Sequence, residues 1–164
     1  MYQQAPHGIH APSDATKTHV HPTLAHTCSL APCTPLRNAL NRQLNRLVTS
    51  ASTLADLQQL EQQHGDSFNF IHISAAFMRA AKLAREGALA GACWPLMRRL
   101  WQRLRLDKCR PRELSTIVWA CGKAAYTEAA HLDACLARLT AASELSPLDC
   151  SAAMNGAARL WNRG

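Results

Sequence analysis

The strongest constraint in this sequence is a ten-residue phrase that occurs three times. Ser74 to Leu83 reads SAAFMRAAKL, Ser115 to Ala124 reads STIVWACGKA, and Ser151 to Leu160 reads SAAMNGAARL. Each copy opens on Ser, continues with small and apolar residues, and carries a base as its ninth residue: Lys82, Lys123 and Arg159. The starts lie 41 and 36 residues apart. Recurrence at such a period marks repeated helical hairpins, units that bury their apolar faces only against neighbouring units. The expected fold is all-α, an α-solenoid of stacked hairpins.

Composition agrees with helices. Hydrophobic residues make up 48% of the 164 positions and aromatics only 5%, so Ala and Leu must supply the core, which suits closely spaced helices better than sheets. The seven cysteines include no Cys-x-x-Cys pair. Cys121, Cys135 and Cys150 fall among Ala and Leu at helical positions, where a reduced thiol serves as a small apolar residue. No cofactor or metal is expected. No apolar run approaches the roughly 18 residues of a membrane span, so no membrane partner is expected either.

Taken in order, residues 1–34 form a His-, Pro- and Thr-rich tail with prolines at 6, 12, 22 and 32 and few large apolar side chains, a composition expected to be disordered. Its five histidines with Cys28 and Cys33 match no structural zinc spacing. It is not Arg-rich and amphipathic, as an organelle transit peptide would be. The helical repeat region is expected over 35–164. An opening hairpin spans 35–66, with Leu36, Leu40, Leu44, Leu47 and Val48 as the stripe of its first helix, and Leu54, Leu57 and Leu60 facing inward on its second behind a Ser52 or Thr53 cap. Repeat one covers 69–107, with leucines 96, 100 and 104 on its second helix. Repeat two covers 110–143, with leucines 132, 136 and 139. A partial repeat three, 146–164, stops before a partner helix and reads as a truncation or an unusual cap.

Counting each phrase from its Ser as position 0 and winding it at ~100° per residue puts positions 2, 3, 6, 7 and 9 on one inward side. The other side holds positions 0 and 1, position 4 (Met78, Trp119, Asn155), position 5 (Arg79, Ala120, Gly156) and the bases at position 8. A residue that varies from unit to unit beside a constant cation suits one base and one phosphate of a single strand. A base near a helix C-terminus also satisfies the helix dipole, and Trp119 also suits a packing anchor. The formal charge of +7 is concentrated between Arg79 and Arg112, where ten bases face only Glu86 and Asp107. Such a patch attracts a polyanion or an acidic surface. On the second helix of repeat one, Arg98, Arg99, Arg103 and Arg105 are expected to project to solvent as phosphate contacts.

RPRELSTIVWACGKAA (Arg110 to Ala125) resembles the first helix of the octotricopeptide repeat, in which a Trp-Ala is commonly followed by a Lys. FNFIHISAAFMRAAKLA (Phe68 to Ala84) resembles the Asn-x-x-x-x-Ser-Ala-Ala phrase that often opens such arrays. The likeness spans roughly residues 44 to 164 and extends to the FAST-kinase-like, RAP-domain RNA proteins. The second-helix motif rich in Pro and Trp that marks many of these repeats is missing. The resemblance implies a non-catalytic protein that binds single-stranded organelle RNA and acts in chloroplast or mitochondrial RNA processing, stability or translation. Alternatives are a helical scaffold binding an acidic protein partner through the same patch, or a truncated, non-functional fragment of a longer repeat protein. An enzyme is not expected, and no small-molecule substrate: the sequence shows no carboxylate pair, Ser-His-Asp set, phosphate-cradling glycine loop or zinc motif.

Overall fold

The computed structural model describes residues 34–86 and 91–162. The chain divides into two units, Met1–Ala31 and Pro32–Gly164, and everything below concerns the second. The expected tail lies outside the described residues, apart from Thr34. The described residues are all-helical. Seven α-helices run α1 Thr34–Ser50, α2 Leu54–His64, α3 Phe70–Glu86, α4 Trp94–Arg103, α5 Pro111–Ala124, α6 Ala129–Thr140 and α7 Pro147–Trp161, with 3-10 turns at Gly65–Ser67 and Leu106–Lys108.

Local chemistry sets these boundaries. The Thr53 side chain accepts the amide of Asp56 at 3.0 Å while the Asp56 carboxylate accepts the amides of Thr53 and Ser52, which closes a capping box at the start of α2. These bonds hold the Asp56 carboxyl below its ordinary range. Pro95, Pro111 and Pro147 stand in the first turns of α4, α5 and α7, where the missing amide is no loss. Gly91, with φ of +88°, makes the turn into α4. Ala125 ends α5 in the left-handed region (φ 52°) while the Tyr126 amide returns to the Cys121 carbonyl, a position more often given to glycine.

The odd-numbered helices pack side by side in chain order. α3 lies between α1 and α5, and α5 lies between α3 and α7. The even-numbered helices lie alongside them: α2 packs on α1 and α3, α4 on α3, and α6 on α5. One continuous core fills the space between, with Ile73, Phe77, Leu96, Met97, Leu100, Ile117, Val118 and Tyr126 essentially inaccessible. Cys121 and Cys135 are buried as expected of small apolar side chains, Cys150 is only half-buried, and Cys93 and Cys109 are buried as well. Burial pushes the Cys109 thiol up to about 11, Cys135 up to about 12, and Cys121 higher still, so none offers a reactive thiolate near neutral pH.

Three expectations about inward-facing residues need correction. On α1 only Leu44 and Val48 are buried, whereas Leu36, Leu40 and Leu47 are 69%, 50% and 39% exposed, because described neighbours cover one side of α1 and not the other. In the third phrase Met154 and Ala158 are exposed, and Met154 reaches 71%. Their counterparts Val118 and Gly122 are buried under α7, and nothing described lies over α7 in turn. Finally, Ser74 and Ser115 at position 0, and Ala120 and Gly156 at position 5, are buried despite their place on the expected outer side. The phrase is therefore covered on two opposite faces.

Candidate functional site

The contacts between successive odd helices assign each phrase position a direction. Position 5 and the residue two before the Ser point back along the chain. His72 accepts the Asn69 amide on Nδ1 at 3.2 Å, so its Nε2 carries the proton and donates to the Asn41 carbonyl of α1 at 2.9 Å. Arg79 donates from Nε to the Ala51 carbonyl at 2.7 Å. On α7, Asp149 is two before the Ser and accepts a bond from Ser115 Oγ of α5 at 3.2 Å. Gly156 at position 5 lies directly on α5. A Cβ there would stand 2.6 Å from the Val118 carbonyl carbon, and one on Gly122 would stand 2.7 Å from the Gly156 Cα, so the two backbones touch through paired glycines.

Positions 0, 3 and 7 correspondingly point forward, and position 6 points to the even helices. Cys121, at position 6, lies among Cys135 of α6 and Cys93 at the start of α4. Trp94 Nε1 donates to the Ala124 carbonyl at the end of α5, and Trp94 meets Tyr126 edge-on at 5.8 Å. That leaves positions 4 and 8 on the side away from the even helices. Met78 and Lys82 on α3, Trp119 and Lys123 on α5, and Asn155 and Arg159 on α7 therefore form two short rows crossing three adjacent helices. Lys82, Asn155 and Arg159 are exposed; Met78, Trp119 and Lys123 are half-buried. The Lys123 ammonium stands over the Trp119 ring, 5.3 Å from its centroid. Asn155 Nδ2 donates to the Ser151 carbonyl at 2.9 Å.

Arg79 does not belong to these rows, because its guanidinium is half-buried on the Ala51 carbonyl between α1 and α3. The four arginines on and just after α4 are also placed differently from expectation. Arg98 donates to Glu128 at 2.7 Å, and this bond raises its pKa. Arg99 and Arg103 both bind the buried Glu61 of α2, at 2.8 and 3.0 Å, and Arg103 also binds Asp66. Arg105 pairs with Asp107. Three of the patch's arginines, Arg98, Arg99 and Arg103, thus hold carboxylates from 30 to 42 residues away, and they tie α4 to α2 and to the start of α6.

Sequence reasoning missed His72, Asp149 and Glu61. The first two carry a readable signal: two residues before each Ser the chain has His72, Glu113 and Asp149, a polar side chain every time. Ser146 caps α7, its Oγ accepting the Asp149 amide and donating to the Asp149 carboxylate, which also accepts from Ser115 and lies 3.5 Å from Arg112. The Ser146 hydroxyl foremost, then Ser115 and Arg112, keeps its carboxyl ionised below the usual range. Among the described residues no three or more His, Cys, Asp and Glu side chains gather as a metal site, and no helix is long and apolar enough to cross a membrane.

Comparison with protein-family models, with curated proteins and with solved structures finds no match to this chain.

Proposed function

We propose that the helical unit is an α-solenoid that binds single-stranded RNA without catalysis along the rows formed by phrase positions 4 and 8. The observation that carries this reading is the alignment of those rows. Three helices packed in sequence each present one side chain that differs, Met78, Trp119 or Asn155, beside one cation, Lys82, Lys123 or Arg159, on the side free of the second set of helices. A sulfur, an indole and an amide offer a base apolar contact, stacking and hydrogen bonding respectively, while the cations meet successive phosphates. The phrase's resemblance to the octotricopeptide repeat supports the same ligand, and supports an organelle, chloroplast or mitochondrion, as the setting. Arg98, Arg99, Arg103 and Arg105 contribute less to this reading than their charge suggests, since each already holds a carboxylate.

The test is binding of fluorescent single-stranded RNA oligomers across a salt series. Changing Lys82, Lys123 and Arg159 together to Ala should abolish most binding and flatten the salt dependence by roughly 2 in log–log slope, at about 0.7 per phosphate lost. Asn155→Ala should alter base preference more than affinity. Equal binding by the triple variant and the parent at ~0.15 M salt refutes the proposal, because distant charges are largely screened there and direct contacts are not.

A further inference from the structure

The outer face of α7 repeats, position for position, the surface of α5 on which α7 itself sits. A groove on α7 is lined by Pro147, Cys150, Ser151, Met154, Asn155 and Ala158. Thirty-six residues earlier the same places hold Pro111, Leu114, Ser115, Val118, Trp119 and Gly122. That earlier set receives α7: Ser115 bonds Asp149, and Val118 and Gly122 take the backbone of Gly156. The groove on α7 is therefore continuous, in register, with an interface already built twice within the unit.

The opposite end of the same row of helices offers the complementary face. Burial of Leu44, Val48 and Ala51 aligns α1 with the phrase at positions −1, 3 and 6, where α3 has Ile73, Phe77 and Ala80 and α5 has Leu114, Val118 and Cys121, all buried. Asn45 then stands where the later copies have Ser. In this register the back-pointing positions of α1 are Gln43 and Ser50, matching Asp149 and Gly156 of α7, and Leu47 falls between them as Ala153 falls between Asp149 and Gly156. All three α1 residues are exposed, as are Leu36 and Leu40 on the preceding turns. Gln43 supplies a polar group where Asp149 meets Ser115, and Ser50 supplies a small side chain at the crossing point. By register the receiving residue on α7 is Ala158, the counterpart of Ala81 on α3; Ala81 and, at position 5 of α5, Ala120 are both buried, and a serine needs little more room than Ala120.

We propose that the occupant of the α7 groove is α1 of a second copy of this chain, so that copies join head to tail with Gln43 beside Ser151 and Leu47 against Met154. The inference rests on the packing of the helices and stands whether or not RNA is the ligand. Such a contact is heterologous: it uses a different surface on each copy, and continues until it closes a ring or extends as a filament.

Sedimentation of the full chain tests this with two surface variants, Met154→Arg on α7 and Leu47→Glu on α1. The parent should show a mass that rises with concentration into the ~100 μM range. Each variant alone should remain monomeric, since both of its copies lack the same face. An equimolar mixture should form two-chain complexes and nothing larger, because one intact α7 groove and one intact α1 face remain between the two. A parent that stays monomeric at that concentration overturns the proposal. So does a Leu47→Glu variant that still dimerises by itself, which would mean that α7 pairs with α7 of another copy. A parent that associates while the mixture stays monomeric overturns it as well, and would leave the groove to a different repeat-bearing partner. Circular dichroism of both variants should match the parent, both side chains being at the surface.

Discussion

Gly156 shows how much a single residue decides in a row of helices. Alanine has the higher helix propensity by about 1 kcal/mol, so at an indifferent site Gly156→Ala would stabilise the protein. Here the new Cβ would press into the Val118 carbonyl and the Trp119 backbone, and backbone cannot turn aside as a side chain can. α7 would have to lift from α5, loosening the Ser115–Asp149 bond at the same crossing. Gly156→Ala should therefore cost a net ~1–3 kcal/mol in urea unfolding, the usual penalty of overpacking, with an unchanged m-value. A neutral or stabilising result would show that the two backbones do not touch. The sequence made positions 6 and 7 legible as small for close packing, which Cys121 and Gly122 are. It did not reveal that position 5 is equally constrained, because Arg79, Ala120 and Gly156 share neither size nor polarity. What they share is a direction, and each neighbouring helix accommodates it differently.

At the scale of elements, the ends of helices were legible and the pairing of their charges was not. Pro95, Pro111, Pro147 and Thr53 mark helix starts through local rules, and the structure begins α4, α5, α7 and α2 at or beside them. Glu61, on the polar helix α2, carries no such sign. Its carboxylate is buried and holds Arg99 and Arg103 of α4 through one oxygen each, joining the two helices. Glu61→Gln keeps the volume and removes the charge, so the loss reads the ion pairs alone. Breaking a wholly buried pair costs several kcal/mol, but both guanidinium groups are more than a third exposed and water can take over part of their solvation. An expected loss of about 2 kcal/mol follows, falling as salt rises. If the loss is less than a few tenths of a kcal/mol, within the usual scatter of surface substitutions, α2 and α4 are held by packing and the arginines become available to an outside anion after all.

For the whole unit, the arrangement of neighbours predicts an uneven stability. α3 touches α1, α2, α4 and α5, and α5 touches α3, α6 and α7, whereas α7 has a substantial contact with α5 alone. In an array of this kind each element is stabilised by its intrinsic helicity and by its nearest neighbours, so elements with one neighbour open first. Amide hydrogen exchange should consequently find the greatest protection in α3 and the middle of α5, and the least in α7, whose Trp161 is 87% exposed at the final turn. Two perturbations separate this order from simple end-fraying. Gly156→Ala should speed exchange along all of α7 while leaving α1 to α3 unchanged, since the substantial contact of α7 is with α5 alone. Raising the concentration of the parent should slow exchange in α7 and in α1 together, because the head-to-tail contact covers both at once; with the Leu47→Glu variant neither should slow. Equal exchange rates in α3 and α7 would mean that the unit opens as one cooperative block, and that its helices do not derive their stability from neighbours in sequence.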